Sequence, residues 1–272
     1  MKILKAVPGL RSGKPINKMR KHIYPLFLIS MIFCFHTVVK SQPVEDLVKQ
    51  GDLLEKQMKE EEAFSKFKEV IRQQPHHLYA LIRCSELASR IGKRQSSEAR
   101  QIDYYNAAKI YADRALKENP NDSEANVVMA LAYGRLALVG STKEKVASVR
   151  EIKTYAERAL ALNPRNFKAM HILGKWHYEV SDLNPIERAA ARLLFGGLPK
   201  ASFEESVLFY ERARAISPGF ILNYLELAKA YDKINKRAKA IELLRYMLKL
   251  PNTTSEDDVI KEEARSLLKS WT

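Results

Sequence analysis

Few residues of this chain are arranged to do covalent chemistry. It holds six histidines and two cysteines. His76 and His77 follow Pro75 directly, in a turn where imidazoles meet solvent, and nothing near them completes a metal set. His171 and His177 are six residues apart, so on a helix of 3.6 residues per turn they point to different sides and cannot share an ion. Two acidic runs, Glu60 to Glu62 and Glu256 to Asp258, fall at a hairpin turn and a helix start. Acids there are solvated or favour the positive end of the helix dipole. A Gly-rich phosphate loop, paired cysteines, His-Glu-x-x-His and a nucleophile elbow are all missing. The expectation is a non-enzymatic chain with no catalytic residue, metal or cofactor.

Binding is the remaining chemistry. Arg135, Lys168, His171, Lys175, Tyr178, Leu225 and Lys229 are the basic, aromatic and apolar groups suited to gripping an extended peptide or acidic tail. Whether they converge depends on the elements that carry them.

Those elements repeat. From Val44, small or apolar residues fall at Leu47, Gly51, Leu54, Ala63, Phe67 and Val70, and Pro75 closes the unit. The same register recurs from Leu78, Ser123, Phe167 and Ile221, closed by Pro120, Pro164, Pro218 and Pro251. The start points lie 34, 45, 44 and 54 residues apart, so the second, third and fourth copies carry insertions. The eighth position of a copy must be small because two helices cross there, and the small residue at position 20 of the second helix meets it. Gly51 with Ala63 fits that need. This pattern resembles the tetratricopeptide repeat. It implies an all-α, right-handed α-solenoid of about five helical hairpins, over residues 44–77, 78–122, 123–166, 167–220 and 221–252. Ser141 with Glu144, Asn184 with Pro185 and Glu187, and Ser202 with Glu205 read as helix starts. The insertions therefore lengthen the second helix of copies two and three, and in copy four Pro185 to Phe195 forms an extra helix ended by Gly196 and Gly197. Residues 253–272 form a capping helix started by Ser255, with Val259, Ala264, Leu267 and Leu268 covering the open end of the stack.

Within the fourth copy, Gly174, Trp176, Tyr178, Arg188, Ala191, Leu194, Phe195, Pro199, Ser202, Phe203 and Glu204 follow a family-specific order. The segment resembles the regulator of microtubule dynamics family, and the likeness extends from about Tyr105 to the C-terminus. The resemblance implies the same fold, and an association with microtubules and organelle membranes as in its eukaryotic members. In tetratricopeptide solenoids the first helices line the concave face with positions 2, 5, 9 and 12. Here these are Lys168, His171, Lys175 and Tyr178, with Leu222, Leu225, Lys229 and Asp232 beside them and Arg135 reaching from copy three. The alternative is that these groups are only solvated and the helix at Pro185 fills the concavity. Trp176 is expected in the core.

The net charge of +14 overstates the basicity of the solenoid. Residues 1–42 hold Lys2, Lys5, Arg11, Lys14, Lys18, Arg20, Lys21 and Lys40 with no acid; without these eight, 38 basic residues face 32 acidic ones. No nucleic-acid partner is expected from so even a balance. Lys18, Arg20 and Lys21 precede an apolar run from Ile23 to Val39 and a small residue at Ser41, the construction of a secretory signal peptide. Residues 1–41 are thus read as a leader, with Met19 as a possible true start, and the protein as an exported, periplasmic or cell-envelope product of bacterial type. The alternative is a membrane anchor at residues 23–39, and membrane contact is expected only if the leader stays uncleaved. Cleavage leaves Cys84 without a disulfide partner, as buried apolar filler. N-terminal sequencing of the fractionated protein should begin at Gln42, outside the cytoplasm; a start at Met1 or Met19 would retain the leader.

Overall fold

The computed structural model describes residues 43–272. The leader reading, with the Met19 start and the apolar run at 23–39, lies outside the described residues. Twelve α-helices and no strand occur among them: α1 Val44–Lys56, α2 Glu60–Gln73, α3 Leu78–Lys93, α4 Glu98–Glu118, α5 Ser123–Val139, α6 Thr142–Leu162, α7 Phe167–Asp182, α8 Pro185–Phe195, α9 Phe203–Ile216, α10 Ile221–Lys233, α11 Arg237–Met247 and α12 Asp257–Trp271. None of the described helices is long and apolar enough to cross a membrane.

Five helical hairpins form the stack: α1 with α2, α3 with α4, α5 with α6, α7 with α9, and α10 with α11. Each first helix also packs on the second helix of the preceding hairpin, and α3, α5, α7 and α10 touch in succession. The second helices make no comparable succession among the described residues, so the first helices form the inside of the curve and the second helices the outside. The α4 and α6 helices carry the insertions of copies two and three, each running to 21 residues. Ser141 and Asn184 close capping boxes with Glu144 and Glu187, and the Ser202 side chain accepts from the Glu205 backbone. Gly196, at φ 70°, ends α8 in the left-handed region that a side chain would resist.

The helix crossings are close enough to select side chains. The Ser85 hydroxyl donates to the Ala108 carbonyl at 2.8 Å, and the Ser206 hydroxyl to the Gly174 carbonyl at 2.7 Å. In both hairpins, positions 8 and 20 therefore meet through a buried hydrogen bond. The larger neighbour lies one turn further on. A Cβ built at Gly51 would stand 2.7 Å from the Phe67 ring, and one at Gly174 would stand 2.7 Å from the Tyr210 ring. Gly51 thus makes room for Phe67 rather than only for Ala63, because an aromatic side chain needs the whole gap that a missing Cβ leaves.

Two expectations at the C-terminal end are corrected. Ser255 does not cap α12; Asp257 organises its start, its carboxylate accepting from the Thr253 and Thr254 amides at 2.6 and 2.9 Å. The longer reach of Asp257 satisfies amides behind the helix, which frees Ser255 for another contact. Val259 is 73% exposed and covers nothing, whereas Ile260, Ala264, Leu267 and Leu268 pack onto the last hairpin.

The two hairpins without insertions turn through left-handed residues, Met58 and Asn235, both at φ 60°. Lys59 N–H then bonds the Leu54 carbonyl and Lys236 N–H the Tyr231 carbonyl, each at 2.9 Å. Met58 is strained there as glycine would not be. Met58→Gly should stabilise the fold by about 1 kcal/mol and Gly174→Ala should destabilise it by about 1–3 kcal/mol, by urea unfolding. Equal signs for the two changes would contradict this account.

Candidate functional site

The inner face is built from the solvent side of the first helices. On α3, Arg83, Glu86, Arg90 and Lys93 recur at helical spacing and form one stripe. Arg83 bonds Glu55 of α1 and, at 2.7 Å, Glu86 of its own helix. Arg90 bonds Glu55 and stands 3.4 Å from Glu60. Lys168 of α7 reaches Glu86 at 3.0 Å and Glu124 of α5 at 3.1 Å, tying three consecutive first helices together. Further along, Lys175 bridges Glu179 and Glu226, both at 2.8 Å, and Lys229 bonds Glu263 of α12 at 2.6 Å. Lys233 pairs with Asp182 at 2.5 Å and lies over the rings of Tyr178 and Phe203.

The candidate binding residues therefore separate into groups. Lys168, Lys175 and Lys229 line the inner face but are paired with neighbouring carboxylates. Lys175 keeps a side chain 42% exposed, so it remains reachable. Tyr178 is partly exposed beside it. Arg135 pairs with no carboxylate among the described residues, and its buried Nε lacks an acceptor. Leu225 is 1% exposed within the core and offers no surface to a partner. The α8 helix packs on α6, an outer helix, and does not fill the concavity.

Charge compensation sets the protonation of this face. Burial would raise the Glu86 carboxyl, but Lys168, Arg83 and Arg90 outweigh it and hold it well below the usual range. Glu226 is lowered in the same way, against its burial, by Lys175 and Lys229. Burial would lower Lys175, but its two carboxylates more than offset desolvation and raise it.

His171 sits deeper, its ring 5.3 Å from Tyr210 and 4.8 Å from Phe220. Its Nδ1 is 3.0 Å from Asn223 Oδ1, while Asn223 Nδ2 donates to the Tyr210 carbonyl at 2.9 Å. That second bond orients the amide, so the imidazole must carry its proton on Nδ1. Burial lowers its pKa despite Asn223 and Glu226. His177 is lowered by burial too, stacked on Phe209 at 5.5 Å, far from any shared ligation. No group of three metal-ligating side chains occurs among the described residues. His76 lies 2.6 Å from Glu118 at the surface, and the His77 ring accepts from the Ala80 amide to start α3.

Several sequence expectations meet a different environment. Glu60 is 1% exposed and paired with Arg94 at 2.5 Å, because α3 brings two guanidiniums against the turn that was expected to be solvated. Glu256 and Asp257 are buried as well. Trp176 is in the core, its Nε1 donating to the Val149 carbonyl at 2.7 Å. Cys84 is free and buried, which pushes its thiol up to about 12. Glu55, Glu86, Glu226 and Asn223 were missed. Reading template positions 9 and 12 in the earlier copies would have found Asp52, Glu55 and Glu86.

A family description independent of this geometry covers most of the chain. The profile of Regulator of microtubule dynamics protein 1-3 matches residues 47–272. The chain belongs to that family. It is 28% identical over 248 residues to regulator of microtubule dynamics protein 1 of Bos taurus, spanning 90% of this chain and 77% of that one. It is 29% identical over 245 residues to the Mus musculus protein of the same name, spanning 89% and 78%. A thermophilic TPR protein of Thermus thermophilus superposes with a TM-score of 0.59 at 14% identity, over 84% of this chain and 98% of that one. This likeness establishes the tetratricopeptide-like solenoid expected from the five closing prolines.

The titration directions define how stability follows pH. His171 and His177 bind a proton less readily folded than unfolded, so stability is whole above their usual 6.5 and falls as pH drops below it. Glu86 and Glu226 add a second loss below their usual 4.5. Thermal melts from pH 7.5 to 3.5 should fall in these two steps, and His177→Phe, which keeps the stack, should flatten the upper one. Glu86→Gln should cost about 2–3 kcal/mol at pH 7 by urea unfolding and less at pH 3.5.

Proposed function

We propose that residues 43–272 form a non-catalytic interaction scaffold whose inner face holds a peptide or protein partner. The observation that carries this reading is the succession of α3, α5, α7 and α10 along one face, where Tyr178 and Lys175 stay accessible and Arg135 has no carboxylate partner among the described residues. The tetratricopeptide-like fold supports a protein partner, since its stacked hairpins offer extended concave surfaces rather than closed pockets. The compartment proposed is the cell envelope, on the reading of residues 1–41 as a cleaved leader.

The family supports a second reading, a microtubule- or membrane-associated regulator, because its curated relatives carry that name. Salt-dependent co-sedimentation with polymerised tubulin would favour it, and no pelleting at low salt would remove it.

The scaffold reading is tested by a photo-crosslinking amino acid placed at Tyr178 or Lys229 on the inner face, or at Ile110, an exposed residue of α4. The inner positions should capture one and the same partner and Ile110 should not. Capture at Ile110 alone, or of unrelated species at the two inner sites, would count against it.

A further inference from the structure

The C-terminal segment between α11 and α12 returns to the beginning of the solenoid. Ser255 Oγ donates to the carbonyl of Met58, in the α1–α2 turn, at 3.0 Å. Glu256 Oε2 meets Lys93 Nζ at 2.5 Å, and Lys93 is the last rung of the α3 stripe that begins at Arg83. These contacts join residues 197 and 163 positions apart. Glu256 is only 9% exposed, and its other oxygen, Oε1, has no hydrogen-bond partner. An acidic side chain thus sits against Lys93 at the end of the α3 stripe, and Glu256 is the carboxylate that Lys93 pairs with.

Its neighbours are ordered for this purpose. Asp257 gathers the Thr253 and Thr254 amides into a compact turn, which presents Ser255 and Glu256 outward from the start of α12. Asp258 is held by Asn252 at 2.6 Å. The sequence of the segment, Pro-Asn-Thr-Thr-Ser-Glu-Asp-Asp, has the acidic character that Lys93 would recognise in a separate peptide.

We infer that residues 251–258 are an intramolecular strap occupying the Lys93 end of the inner face, and that an acidic segment of a partner engages Lys93 only by displacing it. The inference rests on the inner-face reading above and adds the chemical class of the ligand and the device that withholds the site. Attachment in cis gives the strap a high effective concentration, so a single ion pair and hydrogen bond suffice to hold it against a weak competitor. A tight partner opens it.

Two measurements on the full chain test this. With Cys34→Ser, spin labels at Lys59→Cys and Val259→Cys report the strap, because Cys84 is buried and its thiol stays protonated. The unaltered strap should give one short distance, and Glu256→Lys should give a broad, longer distribution. A fluorescent peptide of residues 251–258 is then added in trans. It should bind Glu256→Lys at least about tenfold more tightly than the native chain, the kind of gain expected when a tethered competitor is removed. Lys93→Glu in the Glu256→Lys background should abolish that binding. Glu256→Gln, a gentler change, should give an intermediate affinity and an unchanged circular dichroism spectrum, which guards against misfolding. Equal peptide affinity for native and Glu256→Lys chains, or no binding to either, would overturn the strap. The peptide exchange does not depend on the crosslinking result. A failed capture at Tyr178 with successful exchange would remove the partner reading and keep the strap.

Discussion

Everything in this solenoid depends on how closely the two helices of each hairpin approach. Where the first helix presents Gly51 or Gly174, the second inserts Phe67 or Tyr210 into the space a Cβ would fill. Where it presents Ser85, or faces Ser206, a hydroxyl satisfies a backbone carbonyl across the crossing. A ring in the gap and a hydrogen bond across it both demand one register, because neither survives a shift of a turn. The hairpins stack with first helices inward because that register turns the same side of every unit toward the curve's interior.

The interior created in this way is crowded with charge. A bent array of helices brings side chains from separate copies within ion-pair distance, and Lys168 touching both Glu86 and Glu124 is the clearest case. Desolvation there penalises an unpaired charge, so carboxylates and cations accumulate in compensating numbers. The result is a face that is polar yet largely self-neutral. Its capacity for an outside ligand resides where compensation is incomplete, around Arg135 and the exposed part of Lys175, or where compensation comes from a detachable segment, at Lys93 and Glu256. The same constraint explains the half-buried His171, whose Asn223 partner gives it a hydrogen bond without a charge.

The family membership and this face address different questions. The relationship to regulator of microtubule dynamics proteins covers the solenoid from Leu47 onward and includes the insertion that carries α8. That helix lies on the outer helix α6 and turns Ile186 and Leu193, 81% and 86% exposed, toward solvent. It packs on α6 and contributes nothing to the inner face, so of the family-like segment only the part ahead of it, at Tyr178, reaches the groove.

Much was legible in the amino-acid order alone, and what was legible is local. Five closing prolines, the small residues at helix crossings, the capping boxes at Ser141 and Asn184 and the left-handed stop at Gly196 are decided within one or two turns of chain, where backbone sterics and hydrogen bonding need no distant partner. The burial of Cys84 and Trp176 followed from their place on an apolar stripe. The inner-face residues were found as positions, but not their partners. Lys168, Lys175 and Lys229 read as free cations because Glu86, Glu226 and Glu263 stand up to 82 residues away and meet them only when the stack curves. Glu60 and Glu256 read as solvated acids for the same reason. Ion pairs across copies depend on superhelical curvature, which is the sum of every insertion and crossing angle along the chain. Tertiary structure alone therefore decided which charges of the groove are paired, which remain, and that the C-terminal segment comes back to meet the first hairpin.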